Sequence, residues 1–206
     1  MTHLFVSTLE RVSMVRMGQR VIVPLIETKR LILRGLTEAD IPFLFEHFSK
    51  NEINEFSSED NLARIEEARM FYEKYIAPRP QLFRLGMTLK ATVLLIGTIG
   101  LYGIDPENMR TLIGFDLVKE YWGKGLMSEA VLAVVDYGFR EIGLNRIEAT
   151  ADGKNLRSLK LLERCGFRRE GILREKHYYK EAFHDEVVFS LLKSEWSKSH
   201  WAAKDD

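Results

Sequence analysis

Tyr121-Trp122-Gly123-Lys124-Gly125-Leu126-Met127-Ser128 sets two glycines and a lysine between a strand-like run and a helix-like one, a spacing suited to holding an anion. Leu112 to Val118 reads as the strand, and Glu129 to Phe139 carries apolar residues at helical spacing. At such a junction the unpaired N–H groups of the first helical turn point outward, with the positive end of the helix macrodipole behind them. Glycine lets the backbone come close to whatever they bind. The string is not a P-loop, whose Gly-x-x-x-x-Gly-Lys-Ser/Thr pattern occurs nowhere in the chain. It half matches the dinucleotide fingerprint, with Ser128 at the third glycine position and Asp152 near the distance of a ribose-binding carboxylate. A plain glycine turn with no ligand fits the same residues.

The elements that must position this loop follow from periodicity and turn signals. Strands are expected at Arg30 to Leu36, Gln81 to Leu89, Val93 to Tyr102, Arg110 to Val118 and Arg146 to Ala151. Two closing strands follow at Phe167 to Lys176 and Ala182 to Leu192. Helices are expected at Glu38 to Ser49, Ser58 to Ile76, Gly125 to Ile142 and Asn155 to Cys165. Thr37 with Asp40 reads as a capping pair, Ser58 before Glu59-Asp60 as another N-cap, Pro78 and Pro80 as a helix stop, and Asp105-Pro106-Glu107-Asn108 as a hairpin turn. A dinucleotide fold usually opens with its fingerprint, whereas here the glycines lie past mid-chain and the chain ends in two strands, which favours a mixed α+β sheet.

Four stretches, in order, resemble the GCN5-related N-acetyltransferase (GNAT) superfamily, and within it the RimJ/RimL-type ribosomal-protein alanine N-acetyltransferases. They are Glu27-Thr28-Lys29-Arg30-Leu31-Ile32-Leu33-Arg34 with Thr37-Glu38-Ala39-Asp40; Ile113 to Gly125; Asn155-Leu156-Arg157-Ser158 running to Cys165-Gly166-Phe167; and Gly171-Ile172-Leu173-Arg174 with His184 to Leu192. The resemblance implies a GNAT fold: a central, mostly antiparallel twisted sheet of six to seven strands flanked by about four helices. The resemblance covers a catalytic domain over 27–197; residues 1–26, with Arg11, Arg16 and Arg20 among scattered apolar residues, read as an N-terminal extension with a short strand at Arg20 to Leu25, and 198–206 as a tail.

The implied cosubstrate is acetyl-CoA, with no metal. Its diphosphate would sit on backbone N–H groups of Gly123, Lys124, Gly125, Leu126, Met127 and Ser128, with the Lys124 charge nearby. Its pantetheine arm would pair with the strand edge near Leu117 and Val118 and meet the side-chain amide of Asn155. Asn155 also reads as a plain helix N-cap. Trp122 and Met127 stand where many relatives carry Arg or Gln and Gly or Ala, though Trp suits the RimJ/RimL branch. Leu162 stands where many relatives carry a tyrosine acid, so the leaving thiolate needs another proton source. The resemblance points to Ser158, which equally reads as a small residue for helix packing.

Asp116 is the candidate base and Glu148 the alternate, the latter equally an ion-pair partner of Arg146. The implied acceptor is the α-amine of a protein or peptide, with a small-molecule amine as the alternative. An α-amine, of pKa about 7.7 to 8.0, is partly neutral near pH 7, so a weak or water-relayed base suffices. A non-catalytic acyl-CoA binder and a dinucleotide enzyme are the competing classes. Cys165 allows a covalent route but also reads as a small core residue. His177 and His184 read as surface or hairpin residues, and Tyr178 and Tyr179 as cleft lining or packing.

Composition bounds these readings. Across 206 residues, 30 basic and 30 acidic side chains balance, so bulk charge gives no reason to expect a nucleic-acid partner. The apolar run Ala91 to Ile104 is broken by Gly97, Gly100 and Gly103 and is too short to span a bilayer. A single cysteine excludes an intrachain disulfide framework and fits the reducing cytoplasm. Phe45, Phe48, Phe56, Phe71 and Tyr75 make the first helices aromatic-rich, most of them as core, with a surface that would permit a homodimer.

Overall fold

The structure is a computed structural model that describes residues 23–77 and 82–200. The expected extension up to residue 22, the proline stop at 78–80 and the tail from 201 lie outside the described residues. Eight strands form one sheet in sequence order except at its end, where β8 lies inside β7. They are β1 (Ile26–Glu27), β2 (Leu31–Gly35), β3 (Leu82–Leu89), β4 (Leu95–Asp105), β5 (Arg110–Leu117), β6 (Arg146–Asp152), β7 (Arg168–Tyr179) and β8 (Ala182–Leu192). All neighbouring pairs are antiparallel except β5 with β6. The expected six to seven strands become eight because the two-residue β1 pairs with β2, too short to announce itself by alternation.

Helices cover both faces. α1 (Ile41–Phe48), α2 (Asn51–Asn54) and α3 (Ile65–Tyr75) lie on one side, where Leu36, Leu44, Phe48 and Ile76 form a small core. α4 (Leu126–Tyr137) and α5 (Leu156–Arg164) lie on the other, and α6 (Lys193–His200) ends the described chain. α4 buries Leu126, Met127, Ala130, Val131, Val134 and Val135, a stripe at helical spacing that packs on inward-facing Leu85, Ile99, Leu101, Ile113 and Ile147 of the strands. Its predicted continuation to Ile142 is present as a wider π turn over Gly138–Ile142.

The Thr37–Asp40 cap forms, the Thr37 N–H donating to Asp40 Oδ2 at 2.8 Å. The Ser58 cap does not. α3 begins only at Ile65, after Arg64, and Ser57 rather than Ser58 turns the chain by accepting the Glu59 N–H through its hydroxyl. Residues 58–64 instead form a loop, and the separate short α2 lies before them. Among the described residues no helix is long and apolar enough to cross a membrane.

Candidate active site

The decisive geometric feature is a parting of strands. β5 and β6 pair only over Arg110–Leu112 with Arg146–Glu148, after which β5 stays with β4 as far as Leu117 and β6 stays with β8 as far as Asp152. A V-shaped gap opens between them, leaving one edge of Ile113–Leu117 without a partner strand. Tyr102 helps hold the place where it opens: its ring lies over Gly114, where an added Cβ would come within 2.7 Å of it.

Two connected clefts occupy the gap. One, of about 370 Å³, lies between β5 and α5 and is lined by Phe115, Leu117, Trp122, Met127, Asn155 and Ser158 among others. The second, of about 500 Å³, opens on the α1–α3 face and includes Arg84, Tyr102, Thr150, Asp152, Tyr179 and His184. Phe115, Asp116, Asn155 and Ser158 line both, so they stand where the two meet.

A third, smaller hollow of about 270 Å³ sits on the glycine loop and the start of α4, lined by Gly123, Gly125, Leu126, Met127 and Ser128. Gly123 and Gly125 have φ of +74° and +73°, left-handed conformations that cost L side chains about 1–2 kcal/mol. With both residues so turned, the loop bends sharply into α4. Glu129 N–H is the one that closes back on Gly125 O, which leaves the amides of Leu126, Met127 and Ser128 without an intrahelical acceptor. The loop is braced from β2. Glu129 accepts from the Thr28 hydroxyl at 2.6 Å, the Arg30 N–H at 2.7 Å and Arg30 Nε at 2.6 Å, while Arg30 Nη1 donates to Lys124 O at 2.9 Å. Burial would raise the Glu129 carboxyl, but these donors outweigh it and hold it below the usual range.

The strand edge differs from expectation at Val118. Its N–H donates to Ile96 O and its carbonyl accepts from Tyr121 N–H, so neither group is free for a ligand. Leu117 carbonyl is taken by the Trp122 indole N–H at 2.7 Å. Ladder alternation turns the backbone groups of Phe115 and the N–H of Leu117 toward the gap, and Phe115 is the edge residue that sequence reading missed. Trp122 thus serves as a peg, and its ring carries the Arg157 guanidinium at 4.1 Å.

Asp116 stands in the gap but is not available as a base. His47 Nε2 lies 2.7 Å from its Oδ1, Thr98 N–H donates to the same oxygen at 3.1 Å, and Arg84 and the Thr98 hydroxyl donate to Oδ2. Burial alone would raise this carboxyl, yet the Arg84 charge, His47 and Thr98 hold it far below the usual carboxylate range. A carboxylate so engaged keeps its charge and has little affinity for a proton. Glu148 lies outside the clefts, bound by Arg146 Nε at 2.6 Å, and is a structural ion pair rather than an alternate base. His47, Arg84 and Thr98 are each far from Asp116 in sequence, and no motif marks them.

Asn155 caps α5 by accepting the Ser158 N–H at 3.1 Å through its side-chain oxygen, which leaves its amide NH₂ to face the cleft. Both readings of this residue are therefore compatible with the fold. Leu162 is buried, and no tyrosine replaces it on α5. Tyr179 comes from the opposite wall, but its hydroxyl donates to Asp152, and burial together with that carboxylate raises its pKa. A phenol held this way is a poor acid.

His184, expected as a surface or hairpin residue, lies in the β7–β8 hairpin, partly buried, and stacks on Tyr179 with its Nδ1 2.6 Å from Asp152. His177 sits 3.0 Å from Glu186. Cys165 is buried, and burial raises its thiol, so it belongs to the core rather than to a covalent route. Phe48, Phe71 and Tyr75 are at once packing and cleft wall, with ring centroids 4.7 and 5.1 Å apart in sequence order. Among the described residues no group of His, Cys, Asp or Glu could hold a metal ion.

The sequence profile of the acetyltransferase (GNAT) domain matches residues 30–168. The chain is 36% identical over 172 residues to the uncharacterized N-acetyltransferase YoaA of Bacillus subtilis (strain 168), covering 82% of this chain and 97% of that one. It is 39% identical over 102 residues to the putative ribosomal N-acetyltransferase YdaF of the same organism, covering 50% of this chain and 56% of that one. A solved structure of spermidine N-acetyltransferase from Vibrio cholerae, in complex with CoA and spermine, superposes with a TM-score of 0.74 at 24% identity, over 82% of this chain and 99% of that one.

Proposed function

Because the chain belongs to the GNAT family and is an acetyl-CoA-dependent N-acetyltransferase, we propose that it acetylates the α-amine of a protein or peptide by direct transfer in a ternary complex, in the manner of the RimJ/RimL branch. The observation that carries this reading is the strand gap with a glycine-loop anion cradle at one end and an open, second cleft at the other. Acetyl-CoA supplies an activated thioester. The amides of Gly123 to Ser128 hold its diphosphate, and the free edge at Phe115 and Leu117 aligns its amide-rich arm, with the Asn155 NH₂ as a further donor. Ser158, where the two clefts meet, is placed to give its proton to the departing sulfur. The acceptor nitrogen bonds to the acetyl carbon, the carbon–sulfur bond breaks, and the nitrogen's proton passes to water in the open cleft, from which the Ser158 oxygen regains the proton it gave to sulfur. An α-amine needs no stronger base near pH 7. The domain of residues 27–197 carries this activity, and its lone thiol suits a reducing compartment such as the cytoplasm.

A peptide acceptor is favoured by the second cleft, about 500 Å³ and open, and by the hairpin that forms one of its walls. On the β7–β8 hairpin, Tyr178 and Phe183 lie on the face opposite the cleft-lining His177, Tyr179 and His184, with ring centroids 5.0 Å apart and 64% and 61% of their surface open. Such a pair suits contact with side chains beyond the first residue of a chain. A second reading rests on the carboxylates Glu59, Asp152, Asp185 and Glu186 along the same cleft, which suit a polycation such as spermidine. Thiol release from acetyl-CoA, measured with N-terminal peptides, free amino acids and polyamines, separates the two. Faster turnover of peptides with free α-amines is expected. Preference for polyamines would replace the first acceptor by the second, and no thiol release with any amine would refute transfer itself.

A further inference from the structure

Arg157, Lys160 and Arg164 stand at spacings of three and four on α5, so a single stripe of the helix presents three cations to the cofactor side of the gap. Leu161, between them on the same face, and Leu162 are buried, and Glu163 is the helix's one acid. Arg157 is already engaged, 3.4 Å from Glu55 and stacked on Trp122. Lys160 and Arg164 are both exposed, and among the described residues neither has an ion-pair or hydrogen-bond partner. A helix face left unneutralised in a chain whose formal charge is zero concentrates positive potential at one place. That place is specific. Lys160 lines the cleft between β5 and α5, and Arg164 lines both that cleft and the hollow over the glycine loop.

On the reading that CoA occupies this gap, we infer that Lys160 and Arg164 form a subsite for the phosphomonoester on its ribose, distinct from the amide cradle that takes the diphosphate. The division follows from chemistry. Amides at a helix start suit a diphosphate bent against the backbone, whereas a phosphomonoester carries about −1.5 to −2 charges near pH 7 and is best matched by mobile full charges. Arg164 faces the cradle from the α5 bank and Lys160 stands beside it along the cleft, so together they can reach a second phosphate that the loop itself leaves uncovered.

Calorimetric binding of CoA and of dephospho-CoA, which lacks only that phosphate, tests the assignment without turnover. The native protein is expected to bind CoA about tenfold more tightly, with the advantage shrinking as salt rises. The doubly substituted Lys160→Met, Arg164→Met protein is expected to bind both ligands with the affinity of the native protein for dephospho-CoA. Equal binding of the two ligands by the native protein would overturn the subsite while leaving the cofactor assignment standing. An equal loss for both ligands in the double variant would overturn it in favour of a diphosphate role. Failure of the native protein to bind either ligand would instead sink the cofactor reading on which the subsite rests.

Discussion

Ser158 and Asp116 both line the junction of the two clefts, yet their surroundings assign them opposite work. Ser158 has its backbone N–H held by Asn155, and no hydrogen bond within the described residues uses its hydroxyl. Ser158→Ala is expected to lower turnover about a hundredfold while acetyl-CoA affinity stays within twofold, read from steady-state kinetics beside calorimetry. Unchanged turnover would remove the hydroxyl from proton delivery. Asp116 is the charge that holds Arg84, Thr98 and His47 together with its side chain 11% exposed. Asp116→Asn would leave the Arg84 charge without its partner and is expected to cost about 3 kcal/mol at pH 7. The folded-state pKa is depressed, so this stabilisation is complete above the unfolded value near 4 and fades as the pH falls below it. Urea titrations of both proteins should therefore differ by a constant amount above about pH 4 and draw together progressively as the pH falls below it, and a pH-independent difference would contradict the ionic account.

At the scale of elements, the glycine loop owes its shape as much to β2 as to its own residues. Arg30 and Glu129 lie 99 positions apart and together tie the turn before β2 to the first turn of α4. Arg30 is 45% exposed, so screening limits its worth to stability, and Arg30→Met is expected to cost no more than about 1 kcal/mol. Its effect on ligand binding should be larger in proportion, because the Lys124 carbonyl loses its anchor and the amides lose their fixed aim. Acetyl-CoA affinity should fall several-fold with turnover at saturation nearly unchanged, which calorimetry and saturation kinetics distinguish. A second clasp spans the clefts: Lys180, at the β7–β8 turn, donates to Asn54 O at 2.5 Å and Glu55 O at 3.1 Å, and Glu55 meets Arg157 of α5. The end of α2 is thereby fixed to both banks of the gap.

For the molecule as a whole, the gap between β5 and β6 breaks a sheet that is otherwise continuous, and ligand binding should restore some of the lost pairing. Free CoA at a hundred times its dissociation constant is expected to add about 2.7 kcal/mol to stability. For a domain of this size that corresponds to a rise in melting temperature of about 5–10 °C, measurable by differential scanning fluorimetry. NAD should give no such rise, since the glycine loop opens a helix on an antiparallel-rich sheet rather than the first turn of a dinucleotide fold.

Local rules in the chain were enough to set most strands and helices, the Thr37–Asp40 cap, the hairpin at Asp105 and the glycine turn that starts α4, though not β1, α2 or the start of α3, because periodicity, turn chemistry and left-handed glycines act over a few neighbouring residues. The family resemblance, not local rules, marked Asn155 and Ser158, which lie on one helical turn. What Asp116 can do was decided only in three dimensions: its proton affinity depends on Arg84, Thr98 and His47, brought to it by strand register and by α1. The same holds for Glu148, claimed by a neighbouring arginine, and for Phe115, whose exposed backbone exists only because β5 and β6 part. A residue type fixes which reactions a side chain could join, whereas its charge, its free lone pairs and its access to a ligand are properties of neighbours distant in sequence.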